Sequence, residues 1–186
     1  MSKKEILFAA QNLNIGGVQK AFVNYLKKLS ESGEYEISVF AFTGGMLSEK
    51  LPKNIKTEYG GRLLGLSAQS FGDIRKNGNI LDIFLRILIT VFAKTIGTKR
   101  FYRLCFQKRK KKYDIAVSYF TDTPAGVFNK GTNLYISDYV TAGEKIAFIH
   151  TDPILGGFNK KYCRSLYKQF DKIICVSDAV REKFNA

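Results

Sequence analysis

The residues best suited to chemistry are few and far apart. His150 is the chain's single histidine, and it closes the apolar run Glu144-Lys-Ile-Ala-Phe-Ile just before Thr151, Asp152 and Pro153. At a strand end such a ring can donate a hydrogen bond to a hydroxyl or phosphate, act as a base, or simply bond a neighbouring backbone carbonyl. Gly16 and Gly17 separate the apolar run Glu5–Ala10 from a segment with apolar residues at Val18, Ala21, Phe22, Tyr25, Leu26 and Leu29. That spacing is helical. A helix opening on two glycines turns bare N–H groups and a positive dipole end towards any anion at the strand edge. It serves equally well where backbone must pack closely.

These residues need a sheet to bring them together. Apolar runs at 5–10, 35–42, 112–119, 144–150 and 171–176, with an edge strand expected at 55–59, alternate with helical segments at 18–29, 80–93, 158–170 and 178–184. Strands separated by helices imply βαβ units with right-handed crossovers. The expectation is an α/β fold: one Rossmann-like domain over residues 1–186, with a mostly parallel sheet of about six strands flanked by helices. A short helix is expected at 46–51 and another near Pro124, capped by Asp122 or Thr123. Residues 60–78, with five glycines, read as a surface loop, and 129–143 as loop, partial helix or both. In an open parallel sheet, ligands gather outside the carboxyl ends of the strands. The Gly16-Gly17 turn, the Tyr119–Thr123 loop and His150-Thr151-Asp152 all fall there.

Thirty Lys and Arg against 16 Asp and Glu give a net charge of +14, which points to an anionic partner. Nine of those cations lie between Lys94 and Lys112, a stretch with no acid, directly after a segment (80–93) that is apolar nearly all round. Phe101, Tyr102, Leu104 and Phe106 are interleaved with the charges. Such a segment suits an anionic bilayer surface, with Arg100, Arg103, Lys108, Arg109, Lys110, Lys111 and Lys112 meeting head groups. The plainer alternative is a crossover helix packed on the sheet with a solvated basic tail. No DNA- or RNA-binding motif accompanies the charge, so nucleic acid is not the expected partner.

Other classes recede. Cys105, Cys163 and Cys175 are widely spaced and form no Cys-x-x-Cys pair or Cys/His cluster, so no metal site is expected, and reduced thiols are the simplest reading. Neither the full Gly-x-Gly-x-x-Gly of dinucleotide enzymes nor a P-loop is present, and no cofactor is expected. The first residues have no signal-peptide character, and no run of 18 apolar residues occurs.

Four blocks taken in order resemble the N-terminal half of GT-B glycosyltransferases, in particular the family 4 retaining enzymes of bacterial capsule, exopolysaccharide and lipopolysaccharide assembly. They are Leu13-Asn-Ile-Gly-Gly-Val-Gln-Lys-Ala-Phe-Val-Asn-Tyr-Leu26, Lys111-Lys-Tyr-Asp-Ile-Ala-Val-Ser-Tyr119, Lys145-Ile-Ala-Phe-Ile-His-Thr-Asp152 and Asp171-Lys-Ile-Ile-Cys-Val-Ser-Asp-Ala-Val180. The resemblance implies a domain that holds the acceptor and faces a second Rossmann-like domain carrying a nucleotide-sugar. It implies that Gly16 and Gly17 approach the donor diphosphate, and that His150 hydrogen-bonds the reacting sugar. Gln19, Tyr119, Thr121, Thr151 and Asp152 would lie on the acceptor side, and Ser177 would open the helix leading towards the second domain. Many relatives take lipid-linked acceptors at the cytoplasmic membrane face, which gives the basic segment at about 80–112 a docking role and the protein a peripheral place at the inner face of the membrane.

The family's donor-binding domain, with its Glu-x7-Glu signature, has no counterpart in these 186 residues. Transfer needs the donor held and its leaving-group charge neutralised in a closed cleft. The expectation is therefore a fragment of a longer enzyme or one subunit of a split transferase, inactive alone, as in eukaryotic two-subunit N-acetylglucosaminyltransferases. A non-catalytic Rossmann-like module for a phosphorylated ligand or a protein partner is the alternative.

Overall fold

The structure is a computed structural model that describes residues 3–76, 79–124 and 126–185, without the side chains of residues 160 and 162–164. The helical spacing assigned to Tyr162, and Cys163, thus lie outside the described side chains. Six strands form one sheet: β1 (Lys4–Ala10), β2 (Tyr35–Ala41), β3 (Lys56–Tyr59), β4 (Lys112–Ser118), β5 (Thr141–Ile149) and β6 (Lys172–Cys175). Their order is β3-β2-β1-β4-β5-β6 and every neighbouring pair is parallel. The order reverses between β1 and β4, so the loops after these two strands part there and leave a crevice at their carboxyl ends.

One face of the sheet is covered by α1 (Gly17–Glu31), which sinks Phe22, Val23 and Leu26 onto Ile6, Phe8, Val117 and Phe148. The other face carries a larger core built from α2 (Arg62–Ser67), α3 (Phe71–Lys76), α4 (Ile80–Phe92), α5 (Thr98–Cys105), α6 (Thr132–Tyr139) and α7 (Lys160–Tyr167). α8 (Asp178–Asn185) follows β6, and its start is capped by Ser177 Oγ accepting from the Val180 N–H at 3.3 Å.

Several expectations need correction. Residues 62–67 and 71–76 are helices, with Leu64, Leu66 and Ile74 buried, where a loop was expected. The described residues around Pro124 form no helix. Asp122 instead reaches across the loop to α6, which begins at Thr132. β5 starts at Thr141 and not Glu144. The expected short helix near Leu51 is a single 3-10 turn, Ser48–Lys50.

The basic segment is not a tail. A π-helical turn, Ala93–Gly97, links α4 to α5. Phe101, Tyr102 and Phe106 are buried against Phe42 and Phe128, so they cannot enter a bilayer. Only Leu104 of that aromatic and aliphatic set is exposed. Arg109 is committed internally, with a side chain 17% exposed. Its Nε donates to Tyr135 Oη at 2.6 Å and its Nη1 to Glu58 at 2.9 Å, while the guanidinium lies 5.2 Å from the Phe40 ring.

Candidate functional site

The carboxyl edge of the central strands carries most of the sequence-expected residues. At the end of β1 the Asn12 side chain organises the turn into α1. Its Oδ1 accepts from the Asn14 N–H at 3.3 Å and from Gln19 Nε2 at 3.0 Å, and its Nδ2 donates to the Ala68 carbonyl at 3.1 Å. This holds the first turn of α1 against the end of α2.

The two glycines of the turn differ. A Cβ on Gly16 would stand 2.3 Å from Gln19 Oε1, so any side chain there must displace the Gln19 amide. Nothing lies within 4 Å of where a Cβ of Gly17 would be. No side chain caps α1 and its first turn has no acid. A 15-residue helix thus presents its positive end to open space, an arrangement suited to an anion.

His150 follows β5 on the α1 face of the sheet. Its ring stacks on Phe148 with centroids 5.8 Å apart and meets Tyr119 at 4.7 Å. Phe22 and Tyr25 of α1 complete the aromatic bed. The ring hydrogen-bonds the Tyr119 backbone carbonyl, while Nε2 is buried without a partner. The proton is therefore assigned to Nδ1, and Nε2 is left as an acceptor. Burial lowers the pKa of His150 below the ordinary histidine value, with the Tyr119 bond opposing, so the ring is neutral at pH 7. Burial pushes the Tyr119 phenol up to about 12.

Thr121 ties the two loops together, its Oγ1 accepting the His150 N–H at 2.6 Å. Gln11, Ser118 and His150, at or just past the ends of β1, β4 and β5, each hold a buried polar atom with no partner. Unpartnered buried polar atoms are uncommon; Ser118, next to the α1-side Val117, lies on the opposite face of the sheet from His150.

Asp152 is placed differently. It pairs with Lys183 and accepts the Ile154 N–H at 2.9 Å, so its carboxylate is spent on its own loop and on α8. The Lys183 hydrogen bond holds its pKa below the usual carboxylate range. Thr151 sits half-buried at the head of this loop. Ser177 is at the carboxyl end of β6.

Asp122, not among the expected site residues, is 1% exposed and caps α6 through Gly131, Thr132 and Asn133 N–H groups and the Thr132 hydroxyl. Burial raises its pKa to about 6, against the opposing pull of those hydrogen bonds. The sequence marks Asp122 as a capping residue but not the helix that it caps, because the donors lie nine to eleven residues downstream. For Asn12 the cluster Gln11-Asn-Leu-Asn14 after a strand was a usable turn signal.

The second candidate surface is α4. Ile80, Leu81, Phe84, Ile87, Leu88 and Val91 are exposed along one stripe, Ile80 at 81%, while Ile83, Leu85, Ile89 and Phe92 pack inward. Ile96 and Leu104 extend the apolar surface, and Lys94, Lys99, Arg100 and Arg103 stand exposed around it. Lys108 to Lys112 instead lead into β4, at the amino edge of the sheet, where Lys111 pairs with Glu5 at 2.8 Å. Among the described residues no helix is long and apolar enough to cross a membrane, and no group of His, Cys, Asp and Glu is placed to hold a metal.

No protein-family model matches this sequence, and no curated protein is significantly similar to it.

Proposed function

We propose that this chain is the acceptor-binding half of a GT-B glycosyltransferase that takes a lipid-linked saccharide at an anionic membrane surface. The observation that carries the reading is the occurrence, at the same carboxyl edge of the sheet, of an uncapped helix start after β1 and a neutral histidine after β5 whose Nε2 has no partner. The α1 N–H groups would meet the diphosphate of a nucleotide-sugar brought by a second domain or subunit. The Nε2 atom of His150 would accept from a hydroxyl of the reacting sugar. The outward stripe of α4 supports docking, since an apolar band of this kind, followed by exposed cations at 94–103, matches the interior and head groups of an anionic bilayer. The place of action that follows is the cytoplasmic membrane face, with no cofactor or metal called for.

Two measurements test the reading. Vesicles containing anionic lipid should co-sediment with the chain and release it in high salt, and Phe84→Glu with Leu88→Glu should abolish that binding. With a donor-binding domain supplied in cis or in trans, labelled sugar should pass from a nucleotide-sugar to a lipid-linked acceptor. His150→Ala should slow that transfer about a hundredfold. Transfer unaffected by His150→Ala, in a variant of unchanged stability, removes the residue from the reaction. The helix start would equally serve a non-catalytic module for a phosphorylated ligand. Ligand binding with no transfer under any donor domain would favour that alternative.

A further inference from the structure

A cavity of about 200 Å³ opens at the carboxyl ends of β2 and β3, apart from His150, and is bounded by Thr43, Gly44, Tyr59, Gly61, Gln69 and Asp82 among others. We infer that it binds one pyranose ring of an amphiphilic glycoside whose apolar tail runs along α4. The inference rests on the acceptor-side reading above and locates the acceptor within it.

The lining has the chemistry that sugars need. Arg62 grips one oxygen of Asp82, with Nε at 2.9 Å and Nη2 at 2.8 Å from Oδ1. Asp82 Oδ2 has no partner among the described residues. The same holds for Gln69 Oε1, whose amide nitrogen donates to the Gly65 carbonyl at 3.3 Å, and for the hydroxyls of Thr43 and Tyr59. Planar carboxylate, amide and guanidinium groups, with two hydroxyls, satisfy the adjacent hydroxyls of a sugar, each of which both donates and accepts. The Tyr59 ring, 48% exposed, offers an apolar face to the C–H side of such a ring. The volume equals that of about six or seven water molecules at ~30 Å³ each, on the scale of a single pyranose.

Glycines keep the space free. A Cβ on Gly60 would come within 2.9 Å of the Phe42 carbonyl oxygen, so packing requires that glycine. Gly61 is different: its φ of −65° and ψ of 169° suit any residue, and nothing lies within 4 Å of its Cβ position. The fold does not demand a glycine there, and the residue lines the cavity.

Asp82 also fixes the direction of the ligand. It belongs to the first turn of α4, beside the exposed Ile80, Leu81 and Phe84. A head group bound at Asp82 leaves its tail against the outward apolar stripe.

The experiment is an NMR titration of the chain with short-chain octyl glycosides of glucose, galactose, mannose and N-acetylglucosamine below their micelle concentrations. Matched methyl glycosides and an octyl sulfobetaine serve as head-only and tail-only probes. At least one octyl glycoside should shift amides of Thr43, Gly60, Gly61 and Gln69 together with those of α4, and its methyl counterpart should shift the first group alone. Tyr59→Ala and Gly61→Leu should each weaken glycoside binding about tenfold, a change of 1.4 kcal/mol, without altering the response to the sulfobetaine. Shifts confined to α4, no glycoside shifting the cavity, or both variants binding like wild type would overturn the inference. Because no donor or transfer is involved, these results stand or fall separately from the His150 and vesicle measurements.

Discussion

The backbone N–H of His150 donates to Thr121 Oγ1 at 2.6 Å, which ties the loop after β4 to the end of β5. Thr121→Val keeps the shape and removes the acceptor, leaving a half-buried N–H unpaired. The expected cost is about 1–2 kcal/mol in chemical denaturation, with Thr121→Ser close to wild type. The His150 ring resonances should shift in the valine variant and not in the serine one.

Acidification should act through His150. Burial depresses its folded pKa below the unfolded value, so between the two the unfolded chain binds the extra proton. The His150 contribution is intact above about pH 6.5 and is lost as pH falls through and below that value. Wild type should lose more stability than His150→Gln on moving from pH 7 to pH 5. Parallel stability curves for the two would rule out a buried neutral ring.

Asp122 should behave in the opposite sense. Its folded pKa is raised to about 6, so its proton-linked contribution is full below the unfolded pKa near 3.8 and fades as pH rises through 6. Asp122→Asn should flatten that part of the pH–stability profile. Asp122→Ala strands the N–H groups of Gly131, Thr132 and Asn133 and should cost about 3 kcal/mol, with hydrogen exchange accelerated first in α6.

Gly16 and Gln19 should be coupled. Gly16→Ala drives its Cβ against the end of the Gln19 side chain and forces it off Asn12, at a cost of about 1 kcal/mol. In a Gln19→Ala background the same substitution should cost much less, because the obstructing amide is gone. Equal costs in both backgrounds would mean that Gly16 is constrained by something other than Gln19.

Arg109 separates structure from docking within the basic segment. Arg109→Gln should lower stability by about 1 kcal/mol through Glu58 and Tyr135, a modest value because Glu58 is well exposed. It should leave vesicle affinity nearly unchanged, whereas Arg100→Gln with Arg103→Gln should weaken it.

The central strands were readable because β1, β4 and β5 carry short apolar runs between turn residues, as a parallel sheet buried on both faces demands, whereas the edge strand β3, Lys56-Thr-Glu-Tyr59, does not. α2 was hidden by its glycines: Gly65 sits mid-helix against the Phe42 carbonyl and Thr43, a contact that no local pattern announces. α5 is masked in the sequence by its density of cations. Phe101, Tyr102 and Cys105 mark an inward face at helical spacing, while Lys99, Arg100, Arg103 and Leu104 point out. At the site, the Gly16-Gly17 turn and His150 could be placed at one sheet edge from strand ends alone. Asn12 bonding Ala68, and Thr121 bonding His150, depend on partners far along the chain and become visible only in three dimensions.

The strand order carries a cost in time. β1 is made first yet finishes in the interior of the sheet, and the partner on its second edge, β4, ends at Ser118. The Glu5 N–H and the Asp114 carboxylate that bind these strands at 2.7 Å are 109 residues apart. At ~5–20 residues per second, synthesis leaves Lys4–Ala10 with an open hydrogen-bonding edge for roughly 5–20 s. During that interval the nascent chain offers a bare apolar strand that an aggregating neighbour could pair with. Fast, dilute synthesis or a chaperone that shields this strand should therefore raise the yield of folded protein more than any change to the finished surface.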